Sequence, residues 1–289
     1  MHKADIAALL ALGAALFIAI GDVVHQRSAH EVTDEPVSHL DLFLRLLRDR
    51  QWWMGSIVAA VGFALQAAAL GFGSVLLVQA LLVTALLFAL PINARLSQRR
   101  VTRWEWMWAA LLAIAVAVIV TVGNPTEGHS RASLETWTAV IAVLGPALVL
   151  CVVGARICSG PTSAVLLAVV SGALWGVFAV LTKGVVDRLD HGVGVLLRTP
   201  ELYVWALVGI AGTAWQQSSF RAGALTASLP TMTVAEPLVG SVLGIVVLGE
   251  TLRPGEAGWL TLIVAVVVMV VATAALARGE AAGATKQPV

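Results

Sequence analysis

The stretch from Ala224 to Glu250 (ALTASLPTMTVAEPLVGSVLGIVVLGE) constrains this chain more than any other. About 20 apolar residues at 1.5 Å each match the thickness of a membrane's hydrocarbon layer. Inside that layer every backbone N–H and C=O must find a partner within its own segment, so the run has to be an α-helix. One carboxylate, Glu236, falls near its middle, and Pro237 follows at once. A charge at that depth costs about 3 kcal/mol or more, so such a residue normally faces a partner or a watery cavity. Pro237 removes a backbone donor and crowds the carbonyl one turn back, near Thr233, which predicts a kink beside the acid. Gly240 and Gly244 form a G-x-x-x-G pair, a face that suits a helix of the same bundle or of a homodimer equally well.

The rest of the chain is of the same kind. It is 59% hydrophobic and 12% charged, whereas soluble domains carry roughly 25% charge. The fold class is therefore an all-α integral membrane protein with the lipid bilayer as its main partner. A net charge of +1 gives no electrostatic case for nucleic acid. No P-loop, nucleophile elbow or zinc-ligand spacing occurs, so neither a cofactor nor an enzymatic activity is expected. Cys151 and Cys158 are seven residues apart, about 10 Å along a helix, too far for a disulfide. They read as small apolar core residues.

Nine spans are predicted, near 5–26, 52–71, 74–95, 104–122, 136–154, 162–185, 201–221, 226–248 and 256–277. Between the first two, Ser38 to Arg50 (SHLDLFLRLLRDR) alternates leucines with charge and is expected to lie on the membrane surface. The tail, Arg278 to Val289, is small and polar and is expected to be disordered. Trp52, Trp53, Trp104, Trp106, Trp108, Trp137, Trp205 and Trp259 fall at span starts, as an interfacial belt requires. Trp175 and Trp215 fall inside spans, where they line a cavity or fill the core. With the N-terminus outside, twelve Lys and Arg face the cytoplasm and six face out, so the positive-inside rule favours that orientation. A multi-pass protein of the plasma (inner) membrane, C-terminus cytoplasmic, is the expectation.

An internal repeat orders the spans. A shift of 150 residues lays spans two to four on spans seven to nine, pairing Gly62 with Gly212, Gln66 with Gln216, Gly73 with Gly223 and Arg103 with Arg253. Span one falls on span six, with His25 on Lys183. The first repeat is 1–122, the connecting helix 136–154 and the second repeat 162–277. Five helices separate equivalent positions, an odd number, so the two copies cross the membrane in opposite directions. Inverted repeats meeting at a midplane site suit alternating access. Glu236 aligns with Leu86, so the acid belongs to one half only.

The candidate binding residues are Glu236, Gln66, Gln216, Trp175 and Trp215. A titratable acid at that depth suits proton coupling or cation binding, and Glu236 is the one candidate metal ligand. The amides of Gln66, Gln216 and Gln79 either bind solute or tie helices together. Asp22, His25, Lys183 and Pro237 are candidate gating or coupling groups. Asp22 and His25 share a face at i and i+3; as span-end charges they and Lys183 equally suit snorkelling to the interface. Glu250 and Arg253 read as a solvated turn.

WGVFAVLTKG (Trp175–Gly184) resembles the start of the second repeat in EamA-type members of the drug/metabolite transporter superfamily. SLPTMTVAEPLVGSVLGIVVLGETL (Ser228–Leu252) is similar to their penultimate-helix signature. The superfamily usually has ten helices. Nine spans, with QAAALGFGSVLLVQALLVTALLFAL (Gln66–Leu90), resemble instead the NIPA-type magnesium transporters. The resemblance implies a secondary transporter of a small organic metabolite, with proton coupling as one mechanism. Magnesium transport and lipid-linked sugar flipping are the alternatives within it, and a non-transporting scaffold is the alternative outside it. Mg²⁺ wants several oxygen ligands, and the midplane here offers one carboxylate.

Overall fold

The structure, a computed structural model, describes residues 3–32, 50–96, 98, 100–222, 225–255 and 258–284. These residues form eleven helices: α1 Lys3–Val32, α2 Arg50–Phe72, α3 Val75–Leu82, α4 Ala85–Leu96, α5 Arg103–Gly123, α6 Leu134–Ile157, α7 Pro161–Leu189, α8 Val193–Leu197, α9 Pro200–Ala222, α10 Leu225–Leu248 and α11 Gly258–Ala284. Among the described residues, eight spans are long and apolar enough to cross a membrane, with α3 and α4 counted as one. α9, the expected seventh span, has 23 residues and so the length, but its end carries Gln216, Gln217, Ser218, Ser219 and Arg221. The expected surface helix over 38–50 lies outside the described residues except at Arg50.

Close approach between helices is bought with small residues. One stripe of α1, Ala7, Ala11, Ala14, Ala15 and Ala19, is buried at helical spacing. It lies against α2, where Gly62 meets Ala14 and Ile18, and Gly73 meets Ala7. The register runs backward, so the two helices are antiparallel. α7 is the central helix of the second half. Gly172 and Gly176 on it lie against Ala235–Glu236 and Gly240 of α10, a forward register that makes α7 and α10 parallel. Ser171 Oγ donates to the Gly212 carbonyl at 3.0 Å and Trp205 Nε1 donates to Thr182 Oγ1 at 2.9 Å, so α9 runs antiparallel to α7. α2 is parallel to α7: Phe63 meets Trp175 and Gly71 meets Val186. Leu70, Leu90, Leu112, Leu248 and Leu276 are fully buried in the core.

Several expectations need correcting. The third span is broken: α3 stops at Leu82 and α4 starts at Ala85, with i→i+3 bonds from Thr84, Leu86 and Leu87 through the break. α11 stays helical past Arg278 to Ala284, where alanines favour the helix. Cys151 and Cys158 are free, as their spacing requires, but neither is in the core. Cys151 lies on α6 and Cys158 caps its end; α6 leans one edge on α7 and buries only Ala155. Trp205 leaves the interfacial belt, because its indole finds both a stacking partner and a hydrogen bond within the bundle. Trp53, Trp104, Trp106 and Trp259 are exposed near helix starts, where the belt needs them.

Candidate functional site

A buried polar cluster lies where α2, α5, α7 and α10 end. Left-handed Gly249 (φ +66°) caps α10 by donating its N–H to the Ile245 carbonyl. That turn folds Glu250 back under the helix end, and its backbone N–H reaches the Gly244 carbonyl at 3.1 Å. Glu250 is 0% exposed. Its Oε1 accepts from the Val75 N–H at 2.7 Å and its Oε2 from the Leu76 N–H at 2.9 Å. The carboxylate thus satisfies the first turn of α3, where orphan N–H groups and the helix dipole favour an anion. Ser74 completes the cap by accepting from the Leu77 N–H.

Lys183, 5% exposed, reaches the same place from α7. Its Nζ donates to the Gly73 carbonyl at 2.7 Å and lies 3.4 Å from Glu250 Oε1. The Glu250 reading as a solvated turn is therefore wrong, and so is snorkelling for Lys183. Gly244 explains the fit: a Cβ there would stand 2.8 Å from Glu250 Oε2 and 3.4 Å from Val75. Gly240, one turn earlier, faces the Gln79 amide. The G-x-x-x-G pair thus packs on α3 within the bundle.

The midplane candidates do not converge. Along α7, Gln66 sits above the level of Trp175, one turn past Phe63, while Gln216 lies one turn past Gly212 toward the other end. Because α2 and α9 are antiparallel, the repeat-related amides are separated by roughly 16 Å of helix rise. Gln66 is buried and Gln216 half-buried. Glu236 is half-buried between their levels, with its backbone against Gly172 and Gly176. Trp175 stacks on Phe63 with centroids 5.6 Å apart and meets Phe178 edge-on at 5.2 Å; Phe178 in turn stacks on Trp205. Trp175 is thus a packing residue joining α2 to α7. Trp215 is half-buried and makes no ring contact among the described residues. The side chains of Asp22 and His25 lie outside the described residues.

Pro237 lines a cleft of about 190 Å³ between α3, α5, α10 and α11, walled by Leu76, Ala80, Leu262, Met269 and Thr273. None of the other candidate residues lines it. Among the described residues no three His, Cys, Asp or Glu side chains gather as a metal site would need.

No protein-family model matches the chain, and no solved structure matches it. Over 283 residues it is 39% identical to an uncharacterized protein from Corynebacterium glutamicum, which covers 96% of both chains. The chain belongs to that protein's family.

Two signals for this cluster are present in the sequence. Leu-Gly-Glu (Leu248–Glu250) places a glycine able to take positive φ before an acid, and Phe-Gly-Ser (Phe72–Ser74) places an N-cap serine after a helix end. The Gly172/Gly176 pair in GALWG is a third missed feature, visible as G-x-x-x-G.

Proposed function

We propose that this chain is a secondary transporter of the drug/metabolite transporter superfamily that moves a small organic metabolite across the plasma membrane by alternating access. The observation that carries this is the break in the third span at Val83–Thr84. A shift of 150 residues lays it on Thr233–Val234, the carbonyl region that Pro237 disturbs in the eighth span. A discontinuous helix at that depth is how transporters build a midplane site; the matching position in the second half lies inside α10, which runs unbroken with Pro237 within it. The packing order agrees: α1 lies antiparallel on α2, as α7 does on α9. Glu236 supplies the titratable group at that depth, and proton coupling is its role.

The test is reconstitution in proteoliposomes holding an internal pH dye and an internal magnesium dye, wild type against Glu236→Gln. A solute-driven pH change, lost in a variant that melts like wild type, supports the reading. A magnesium signal moves the protein to the NIPA-like branch. No signal from folded protein with either dye, across a panel of organic solutes, sinks transport in favour of a scaffold.

A further inference from the structure

The turn between α2 and α3 presents two opposite poles side by side. The Gly73 carbonyl lies at the electronegative end of α2, and the N–H groups of Val75 and Leu76 lie at the electropositive start of α3. Each pole is met by a buried charge from the other half of the chain: Lys183 on the carbonyl, Glu250 on the N–H groups. The charges also meet each other at 3.4 Å. Taking away the carboxylate leaves an ammonium and two N–H groups unmatched where water does not reach, so the cluster holds or lets go as a unit.

The same end is strapped. After α5, the segment 124–133 crosses the end of α10 and pairs with the segment that carries Glu250. The Thr126 N–H donates to the Thr251 carbonyl at 2.9 Å, the Arg253 N–H to the Gly123 carbonyl at 2.8 Å, and the His129 N–H to the Leu248 carbonyl at 2.7 Å. Farther along, Arg131 pairs with Glu201 of α9 at 2.7 Å, beside Gly184. Glu250 itself stands on 249–255, a non-helical segment that starts at left-handed Gly249. Withdrawing that segment withdraws the carboxylate.

We infer that Lys183 and Glu250 form a latch that holds this end of the bundle shut, and that the end opens only when the Glu250 carboxylate leaves the first turn of α3. This rests on the transport reading for what passes through the opened end; the opening itself is measured without a substrate.

The experiment uses the full chain with Cys151→Ser and Cys158→Ser, and Val75→Cys as a reporter inside the latch. A membrane-impermeant maleimide is added to membranes. With the latch intact, Cys labelling at 75 is slow; with Glu250→Gln or Lys183→Met it rises tenfold or more. Equal rates in variants that elute and melt as folded protein overturn the latch. Should those variants fail to fold, Thr126→Cys with Thr251→Cys keeps both charges in place. Their hydroxyls are 2.6 Å apart, so the thiols are within disulfide reach. Oxidation should slow deuterium exchange at Val75 and Leu76 at least tenfold relative to the reduced form, and equal exchange overturns the inference. A latch that opens as described in a protein that transports nothing leaves this inference standing and removes the transport reading.

Discussion

Lys183 and Glu250 are 67 residues apart in sequence and 3.4 Å apart in space, both buried at the turn that joins α2 to α3. Neither is left with its partner alone. The lysine also holds a helix-end carbonyl and the acid holds two helix-start N–H groups.

Removing both charges should therefore cost less than the two single removals added together. Glu250→Ala strands a buried ammonium and two N–H groups, and a loss of about 3–5 kcal/mol is expected. Glu250→Gln keeps an acceptor oxygen and should lose less. In a double-mutant cycle the combined Lys183→Met, Glu250→Gln protein should be less destabilised than the sum of the singles. Thermal melting in detergent checks this; strict additivity would show that the pair is not coupled.

Gly244 is where this cluster tolerates least. An alanine methyl there would press on Glu250 Oε2 and Val75, so Gly244→Ala should cost about 1–3 kcal/mol. Gly194 on α8 has open space around it, and Gly194→Ala should stay within about 0.5 kcal/mol of wild type. Matched melting curves compare the two, and equal shifts would contradict the packing described.

The α7–α10 contact makes a separate claim. A Cβ at Gly172 would stand 2.7 Å from the Ala235 Cβ, and one at Gly176 2.7 Å from the Gly240 N. Gly172→Leu and Gly176→Leu should each force the helices apart, lowering the melting temperature further than Gly145→Leu on the exposed α6. Gly145 has only an Ile141 methyl nearby, at 3.8 Å. Comparable melting for all three would mean that the helices do not cross there.

Trp205 should behave as an interior residue. Trp205→Phe keeps the stack on Phe178 and loses the bond to Thr182 Oγ1, a change of about 1 kcal/mol. Trp205→Ala empties the stack of a half-buried indole and should cost about 2–3 kcal/mol. If alanine were as mild as phenylalanine in a melting assay, the indole would belong to the interfacial belt after all.

What the sequence determined by itself is what one dimension can carry. Hydrocarbon leaves an apolar run only helical form, so fold class and span positions follow from run length and composition alone. Run length placed most ends within a few residues, as for the fourth span, read as 104–122 and found as Arg103–Gly123, where a Thr102–Glu105 capping box starts α5. The third-span break was not legible: Val83 and Thr84 carry no proline or glycine to announce it. Nor was the depth of the polar residues. Glu236 drew attention because it stands inside a run, yet among the described residues the fully buried acid is Glu250, which stands just outside one.

Only the tertiary structure decided which polar groups meet. That depends on how each helix is rotated and how far it slides against its neighbours, and both are set by contacts between residues distant in the chain. The small residues of α1 and α7 fix those approaches, and Gly249 turns the chain back by one left-handed residue. Together they carry Lys183 and Glu250 to the two poles of a single turn, because a buried charge must find the opposite charge or dipole when water is absent.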